Sequence, residues 1–125
     1  MREKNQILVE VQPEYLAMQS EPNKKKYVFS YTITLTNIGL VPATLLSRRW
    51  LITDSNGRIE EVEGTGVVGK TPYLKSGESF SYTSGVLLDT SVGVMSGLYN
   101  MRSEEGDFFD AIIPRFTLSI PRTLH

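Results

Sequence analysis

The residues best suited to chemistry lie in segment 64–71, which reads GTGVVGKT. This segment matches two phosphate-binding patterns, G-x-G-x-x-G for dinucleotides and G-x-x-x-x-G-K-[ST] for nucleoside triphosphates. Both patterns hold phosphate where the loop leaves a strand and begins a helix, because the helix N-terminus supplies aligned N–H groups and partial positive charge. Pro72 follows at once and disfavours helical geometry at Thr71. We therefore interpret both matches as coincidental.

The glycine loop, as we call residues 64–71, could still bind a ligand without a helix. Successive glycines can turn backbone N–H groups inward and form an anion-binding concavity. The candidate ligand-binding residues are Gly64, Gly66, Val67, Val68, Gly69, Lys70 and Arg48. The structural alternative is that the three glycines only permit a crossover between sheets while the two valines fill the core.

Arg48 and Arg49 are consecutive on a predicted strand, so alternation places Arg48 on the same face as Trp50. We assign Trp50 to the structural core. A charged side chain in that register is costly unless it reaches the rim or meets a partner. Arg48 is therefore expected either to form a salt bridge or carbonyl clamp, or to contact a ligand.

Other catalytic chemistry has little support in this chain. The only histidine is His125, the last residue, and there is no cysteine, so a serine triad, thiolate chemistry and disulfides are not expected. On a strand, Glu61 and Glu63 would offer two oxygens to a cation from one face, which is few for a metal. We predict no catalytic residue, no metal site and no cofactor.

The elements that would position these residues alternate between apolar and polar side chains, which predicts an all-β chain. In strand 27–37 the aromatic and aliphatic residues share one face, which should be the core face. Strand 43–54 follows, with Leu46, Trp50 and Ile52 on one face, and DSNG at 54–57 predicts a hairpin turn.

Further strands are predicted at 9–16, 58–63, 80–85, 94–101 and 108–118, and Pro13 suggests that the first lies at a sheet edge. About seven short antiparallel strands predict an immunoglobulin-like or fibronectin-III-like β-sandwich, with a small closed barrel as the alternative.

Length and composition predict a single domain over residues 1–125, because 40% apolar residues in a chain of 125 suffice for one core. The 13 basic and 14 acidic side chains nearly cancel, which argues against nucleic acid or a membrane surface as a partner. The N-terminal residues lack the apolar run of a signal peptide, so a cytoplasmic location is expected.

Several segments together closely resemble the ApaG family: SRRWLITDSNG at 47–57, GTGVVGKTP at 64–72 and FSYTSG at 80–85. Downstream, G-x-M-x-G-x-Y-x-M begins at Gly93 and P-x-F-x-L-x-x-P begins at Pro114. The resemblance extends over about residues 9–125 and implies a fibronectin-III-like sandwich, found as small bacterial proteins and as a domain of some eukaryotic F-box proteins.

The same resemblance implies no established catalytic role. It associates the bacterial members with cobalt resistance and magnesium efflux, and with genes beside a diadenosine tetraphosphatase. The family's loop is similar to G-x-G-V-V-G-x-x-P, in which the position of Lys70 varies.

The leading functional hypothesis is a non-enzymatic binding module for a protein partner or a small phosphate-bearing ligand, linked only indirectly to magnesium and cobalt homeostasis. Scaffolded loops are a common location for recognition. The alternative is a metal-assisted enzyme acting on pyrophosphate or nucleotide compounds, in which Lys70, Arg48 and a metal held by Glu61 or Glu63 stabilise negative charge.

Overall fold

Eight β-strands account for most of residues 2–121, the part of the chain that the computed structural model describes. The strands are β1 (Ile7–Tyr15), β2 (Tyr27–Asn37), β3 (Ala43–Asp54), β4 (Ile59–Thr65), β5 (Tyr73–Leu74), β6 (Ser79–Leu88), β7 (Val92–Ser103) and β8 (Phe108–Ser119). Two single 3-10 turns, Ala17–Gln19 and Pro22–Lys24, join β1 to β2. The all-β prediction is confirmed, and His125 lies outside the described residues.

The strands form two antiparallel sheets. The three-stranded sheet has the order β1-β2-β6, and the five-stranded sheet has the order β4-β3-β7-β8 with β5 also paired to β3. The sandwich prediction is thereby confirmed and the closed-barrel alternative is wrong. Pro13 lies on β1, an edge strand, where a missing N–H donor is tolerated.

Strand β2 shows why this chain forms a sandwich. Its alternate residues Phe29, Tyr31, Ile33 and Leu35 are buried between the sheets. On its other face three threonines form hydroxyl–hydroxyl hydrogen bonds of 2.7–2.8 Å with residues of β6. One face of the strand therefore supplies the core and the other supplies a polar cross-strand ladder.

Trp50 is 2% exposed and lies at the centre of the space between the sheets. Its ring centroid is 5.1 Å from that of Tyr31 on the opposite sheet and 6.0 Å from that of Phe116 on β8. Because the chain has no cysteine, aromatic packing of this kind connects the two sheets.

The expectation that Leu46 shares a face with Trp50 is wrong, because β3 contains a β-bulge. Leu45 pairs with Met101 and Ser47 pairs with Asn100, which leaves Leu46 as the extra residue. The bulge shifts the alternation by one position. Leu45 is fully buried in consequence, whereas Leu46 is only half-buried.

Candidate functional site

The glycine loop lies along one edge of the five-stranded sheet. Strands β4 and β5 both pair with the same edge of β3, and the loop is the excursion between them. The loop faces the bulge in β3, because the Gly66 N–H donates to the Leu46 carbonyl at 2.8 Å. The alternative that the loop crosses between sheets is therefore wrong, since the chain reaches the other sheet only after β5.

The tip of the loop is a two-residue turn. Val67 and Lys70 exchange backbone hydrogen bonds of 2.8 and 2.9 Å, and the two residues between them have φ of 43° at Val68 and 78° at Gly69. Both central φ angles are positive, as in the type I′ turns of hairpins. The chain then continues into β5, so the helix that both phosphate-binding patterns require does not begin here.

Most candidate binding groups of the loop already have partners within the protein. The N–H groups of Gly66, Val67 and Lys70 donate to backbone carbonyls, which removes them from an anion-binding concavity. Val67 is fully buried, whereas Val68 is 55% exposed, so only one of the two valines fills the core. The Lys70 side chain is exposed.

Arg48 forms the carbonyl clamp that its register predicted. Its Nη1 donates to the carbonyl of Gly66 at 2.8 Å and to that of Thr65 at 3.2 Å. The guanidinium occupies the space above Gly64, where an added Cβ would lie 2.7 Å from Cζ of Arg48. Arg48 therefore holds the base of the glycine loop, and the absence of a side chain at Gly64 makes room for it.

A buried pair of tyrosines lies near Arg48, between the two sheets. The hydroxyl of Tyr82 on β6 hydrogen-bonds to that of Tyr99 on β7. Burial raises the pKa of Tyr82 to about 12. Burial also raises the pKa of Tyr99, and the neighbouring Tyr82 raises it further, while the charge of Arg48 acts in the opposite direction on both pKa values.

The groups required by a metal-assisted enzyme are on opposite faces of the sheet. Glu61 and Glu63 both form ion pairs with Arg49 on the outer face, and the hydrogen bond that Arg49 donates to the Glu61 carboxylate is the main cause of the raised pKa of Arg49. Arg48 projects from the other face of the same strand. Within residues 2–121, no three His, Cys, Asp or Glu side chains are grouped as metal ligands.

The outer face of the five-stranded sheet carries a cleft that the sequence reasoning missed. The cleft has a volume of about 470 Å³, and its apolar lining includes Leu51, Leu98, Ile112 and Pro114. Ile112 is 64% exposed and Leu51 is 41% exposed. Arg49 lies at the rim, between this cleft and a second depression of about 500 Å³ that extends to the glycine loop at Gly64.

A sequence signal for the cleft exists but is weak. Leu51 and Leu98 stand at positions that alternate with buried residues of β3 and β7, where polar side chains are the rule for a solvated face. Their proximity to Ile112 depends on pairing, because Leu98 lies opposite both Arg49 and Ile112. Single strands read separately do not show this contact.

Comparisons with known proteins agree on one family. A family model described as ApaG domain matches residues 17–103. The chain is 52% identical to Protein ApaG of Dechloromonas aromatica over the full length of both chains, and 54% identical to Protein ApaG of Thiobacillus denitrificans over 98% of this chain and 96% of that one. The crystal structure of the ApaA protein from Bordetella pertussis superposes with a TM-score of 0.96 at 45% identity, covering 98% of this chain and all of that one.

Proposed function

We propose that this chain, which belongs to the ApaG family, is a non-enzymatic module that recognises a protein partner. Its resemblance to that family implies no established catalytic role. The partner is proposed to cover the outer face of the five-stranded sheet, from the apolar cleft to the glycine loop. The observation that carries this proposal is the cleft itself, which Leu51, Leu98 and Ile112 line and which has Arg49 at its rim.

The composition of the cleft favours protein recognition. Burying an exposed aliphatic side chain stabilises a complex by about 1.5–3 kcal/mol, and an arginine placed among apolar side chains is a common contributor to binding energy at protein interfaces. Arg49 already forms ion pairs with the carboxylates of Glu61 and Glu63, so partner binding should cost little further conformational entropy in this side chain.

The strained tip of the glycine loop supports the same proposal. A β-branched residue at positive φ is an uncommon conformation that costs about 1–2 kcal/mol. Val68 adopts it at a φ of 43° and exposes 55% of its surface, held from below by the Arg48 clamp. Strain of this kind, combined with apolar exposure, is typical of a recognition loop.

A small phosphate-bearing ligand at the glycine loop is the second candidate, since Lys70 closes the turn and its side chain is exposed. Calorimetric titration with pyrophosphate and with ATP tests it. Because three loop N–H groups already donate to carbonyls, we expect no saturable heat at submillimolar concentration. Saturable binding that Lys70→Ala abolishes would favour the phosphate version.

The enzymatic alternative predicts metal-dependent release of phosphate from pyrophosphate or nucleotides. Since Arg48 lies on the opposite face from Glu61 and Glu63, we expect release at background level, unchanged in Lys70→Ala and Glu63→Gln. Release above background that both variants abolish would establish the enzymatic function instead.

A cytoplasmic location and an indirect role in magnesium and cobalt homeostasis are part of this proposal. The support for the role in ion homeostasis is the family resemblance, and a protein partner that handles these ions would provide the link. No helix among residues 2–121 is long and apolar enough to cross a membrane.

Photo-crosslinking in cells tests whether the cleft and the loop bind one partner. Benzoylphenylalanine is introduced singly at Ile112 in the cleft, at Val68 on the loop and at Met18, which is 99% exposed in the connection between β1 and β2. We expect positions 112 and 68 to capture the same protein, identified by mass spectrometry, and position 18 not to capture it.

Capture of different proteins at positions 112 and 68, or of the same proteins at position 18, would contradict a single recognition surface. Thermal unfolding of the three purified variants serves as the control. All three positions are exposed, so none of the variants should melt at a lower temperature than the unmodified protein.

A further inference from the structure

Strand β6 has a free edge. It is the last strand of the three-stranded sheet and pairs only with β2 among the described residues. The remaining edges of the molecule belong to β1, to β4 with β5, and to β8.

The hydrogen bonds between β2 and β6 show which backbone groups of β6 point toward its free edge. The Asn37 N–H donates to the Glu78 carbonyl and the Asn37 carbonyl accepts from the Gly77 N–H, so the Asn37 backbone faces β6. Backbone groups of an antiparallel strand alternate between its two neighbours. The residues of β6 whose N–H and C=O groups point away from β2 are therefore Ser79, Ser81, Thr83, Gly85 and Leu87.

Strand β6 also lacks the features that normally prevent strands from pairing at an edge. Its ten residues, SFSYTSGVLL, contain no charged residue and no proline, and its register with β2 is uninterrupted. By contrast, β1 and β8 each contain a proline together with charged residues, and β4 contains three glutamates. Edges without charge, proline or bulge are templates for strand addition.

A small acidic cavity at the end of β6 indicates the chemistry of the added strand. Its volume is about 200 Å³, and its lining includes three acidic residues, Asp54, Glu60 and Asp89, one basic residue, Arg58, and the β6 residue Leu88. The Asp54 carboxylate also accepts hydrogen bonds from the backbone N–H groups of Asn56 and Arg58. Arg58 already forms an ion pair with Asp89 at 3.3 Å. A cationic side chain would complement the remaining negative charge.

The charges decide between two occupants of this edge. A second copy of the chain would present its own β6, which has no cation. Pairing of two copies would bring no cation of β6 itself to these carboxylates, and the nearest cation of the second copy is Lys75, in the turn that precedes its β6. An extended segment that carries a lysine or arginine would neutralise them.

We propose that the free edge of β6 binds an extended segment of a partner protein by strand addition, with a lysine or arginine of that segment in the acidic cavity. The outward backbone groups from Ser81 to Leu87 provide the affinity, and the cavity provides the specificity. This surface is separate from the outer-face cleft.

A display library of random peptides of about ten residues, the length of a long strand, is selected against the intact protein. We expect enriched sequences to contain lysine or arginine. The most enriched sequence is then synthesised and titrated into the labelled protein, and we expect the largest shifts in amide resonances at Thr83, Gly85 and Leu87.

Two pairs of variants test the backbone and the charge separately. Thr83→Pro removes one outward N–H without removing a bond to β2, and should weaken the peptide by about threefold to tenfold, whereas Thr83→Val retains the N–H and should bind normally. Glu60→Lys should weaken peptide binding by about fivefold. Glu63→Lys, on the opposite face of the sheet, should leave peptide binding unchanged.

Enriched peptides without basic residues, or equal binding to Thr83→Pro and Thr83→Val, would overturn the proposal. A concentration-dependent dimer in sedimentation that Thr83→Pro abolishes would also overturn it, in favour of a second copy. Ile112→Asp, in the outer-face cleft, should leave peptide binding unchanged, so that failure of the proposed function is distinguished from failure at β6.

Discussion

At the scale of single residues, Arg48 shows what the alternation of side chains along a strand can predict and what it cannot. Counting outward from Trp50 placed Arg48 toward the interior and predicted that its charge would require a partner. The partners are the carbonyls of Thr65 and Gly66. Their identity could not be predicted, because it depends on the pairing of Arg48 with Gly64 across two strands.

The buried tyrosine pair predicts that the protein loses stability in alkali. Tyr82 has a folded-state pKa of about 12 against 10.0 for an ordinary tyrosine, so the unfolded chain releases its proton first as pH rises. The contribution of these tyrosines to the free energy of unfolding should be constant below about pH 10 and then fall, by about 1.4 kcal/mol per pH unit for each such tyrosine. Denaturant unfolding between pH 8 and pH 12 measures this slope.

The control is the double variant Tyr82→Phe with Tyr99→Phe. It removes both partners of the buried hydrogen bond, which leaves no unsatisfied hydroxyl, so the fold should persist. We expect its stability to fall less steeply above pH 10. An identical slope in the double variant and the unmodified protein would show that other groups control the alkaline loss.

At the scale of elements, alternation predicted the positions of the strands well and their faces less well. Strands β2 and β3 begin and end where the sequence analysis placed them. Leu46 was assigned to the wrong face because a bulge adds one residue to β3, and β8 has a similar shift near Pro114, where Met95 and Gly97 of β7 pair with Phe116 and Ile113. Bulges are determined by both paired strands, so one strand's pattern does not reveal them.

Gly97 is the position within the paired strands where substitution should lower stability most. A Cβ there would lie 2.2 Å from the carbonyl oxygen of Arg49 and 3.2 Å from the Cα of Trp50, both in the paired backbone of β3. Gly97→Ala must therefore separate two central strands, and should lower the free energy of unfolding by about 3 kcal/mol or more. Chemical denaturation measures the change.

Gly85 on β6 provides the matched control for this prediction. A Cβ there has its nearest contact at 3.6 Å, the carbonyl oxygen of Phe29, which is an ordinary distance. Gly85→Ala should change the free energy of unfolding by less than about 1 kcal/mol, in the stabilising direction, because alanine restricts the unfolded chain. Equal losses in the two variants would refute the steric account of Gly97.

At the scale of the whole molecule, the sandwich could be predicted because period-two alternation recurs in nearly every segment, with turn residues between them. The cleft could not, because Leu51, Leu98 and Ile112 meet only when β3, β7 and β8 are aligned side by side. The spacing of its glycines made the glycine loop a candidate binding site. Its hydrogen bonds make it a clamped turn rather than a phosphate cradle.

The most direct test of the recognition surface is the affinity of the partner captured at position 112 for two purified variants, Ile112→Asp and Met18→Asp, measured by calorimetry. Both residues are exposed, so neither change should alter the melting temperature. If the cleft is the recognition surface, Ile112→Asp weakens binding by about tenfold or more and Met18→Asp leaves it unchanged. Binding of the Ile112→Asp variant at the affinity of the unmodified protein would contradict recognition through this face.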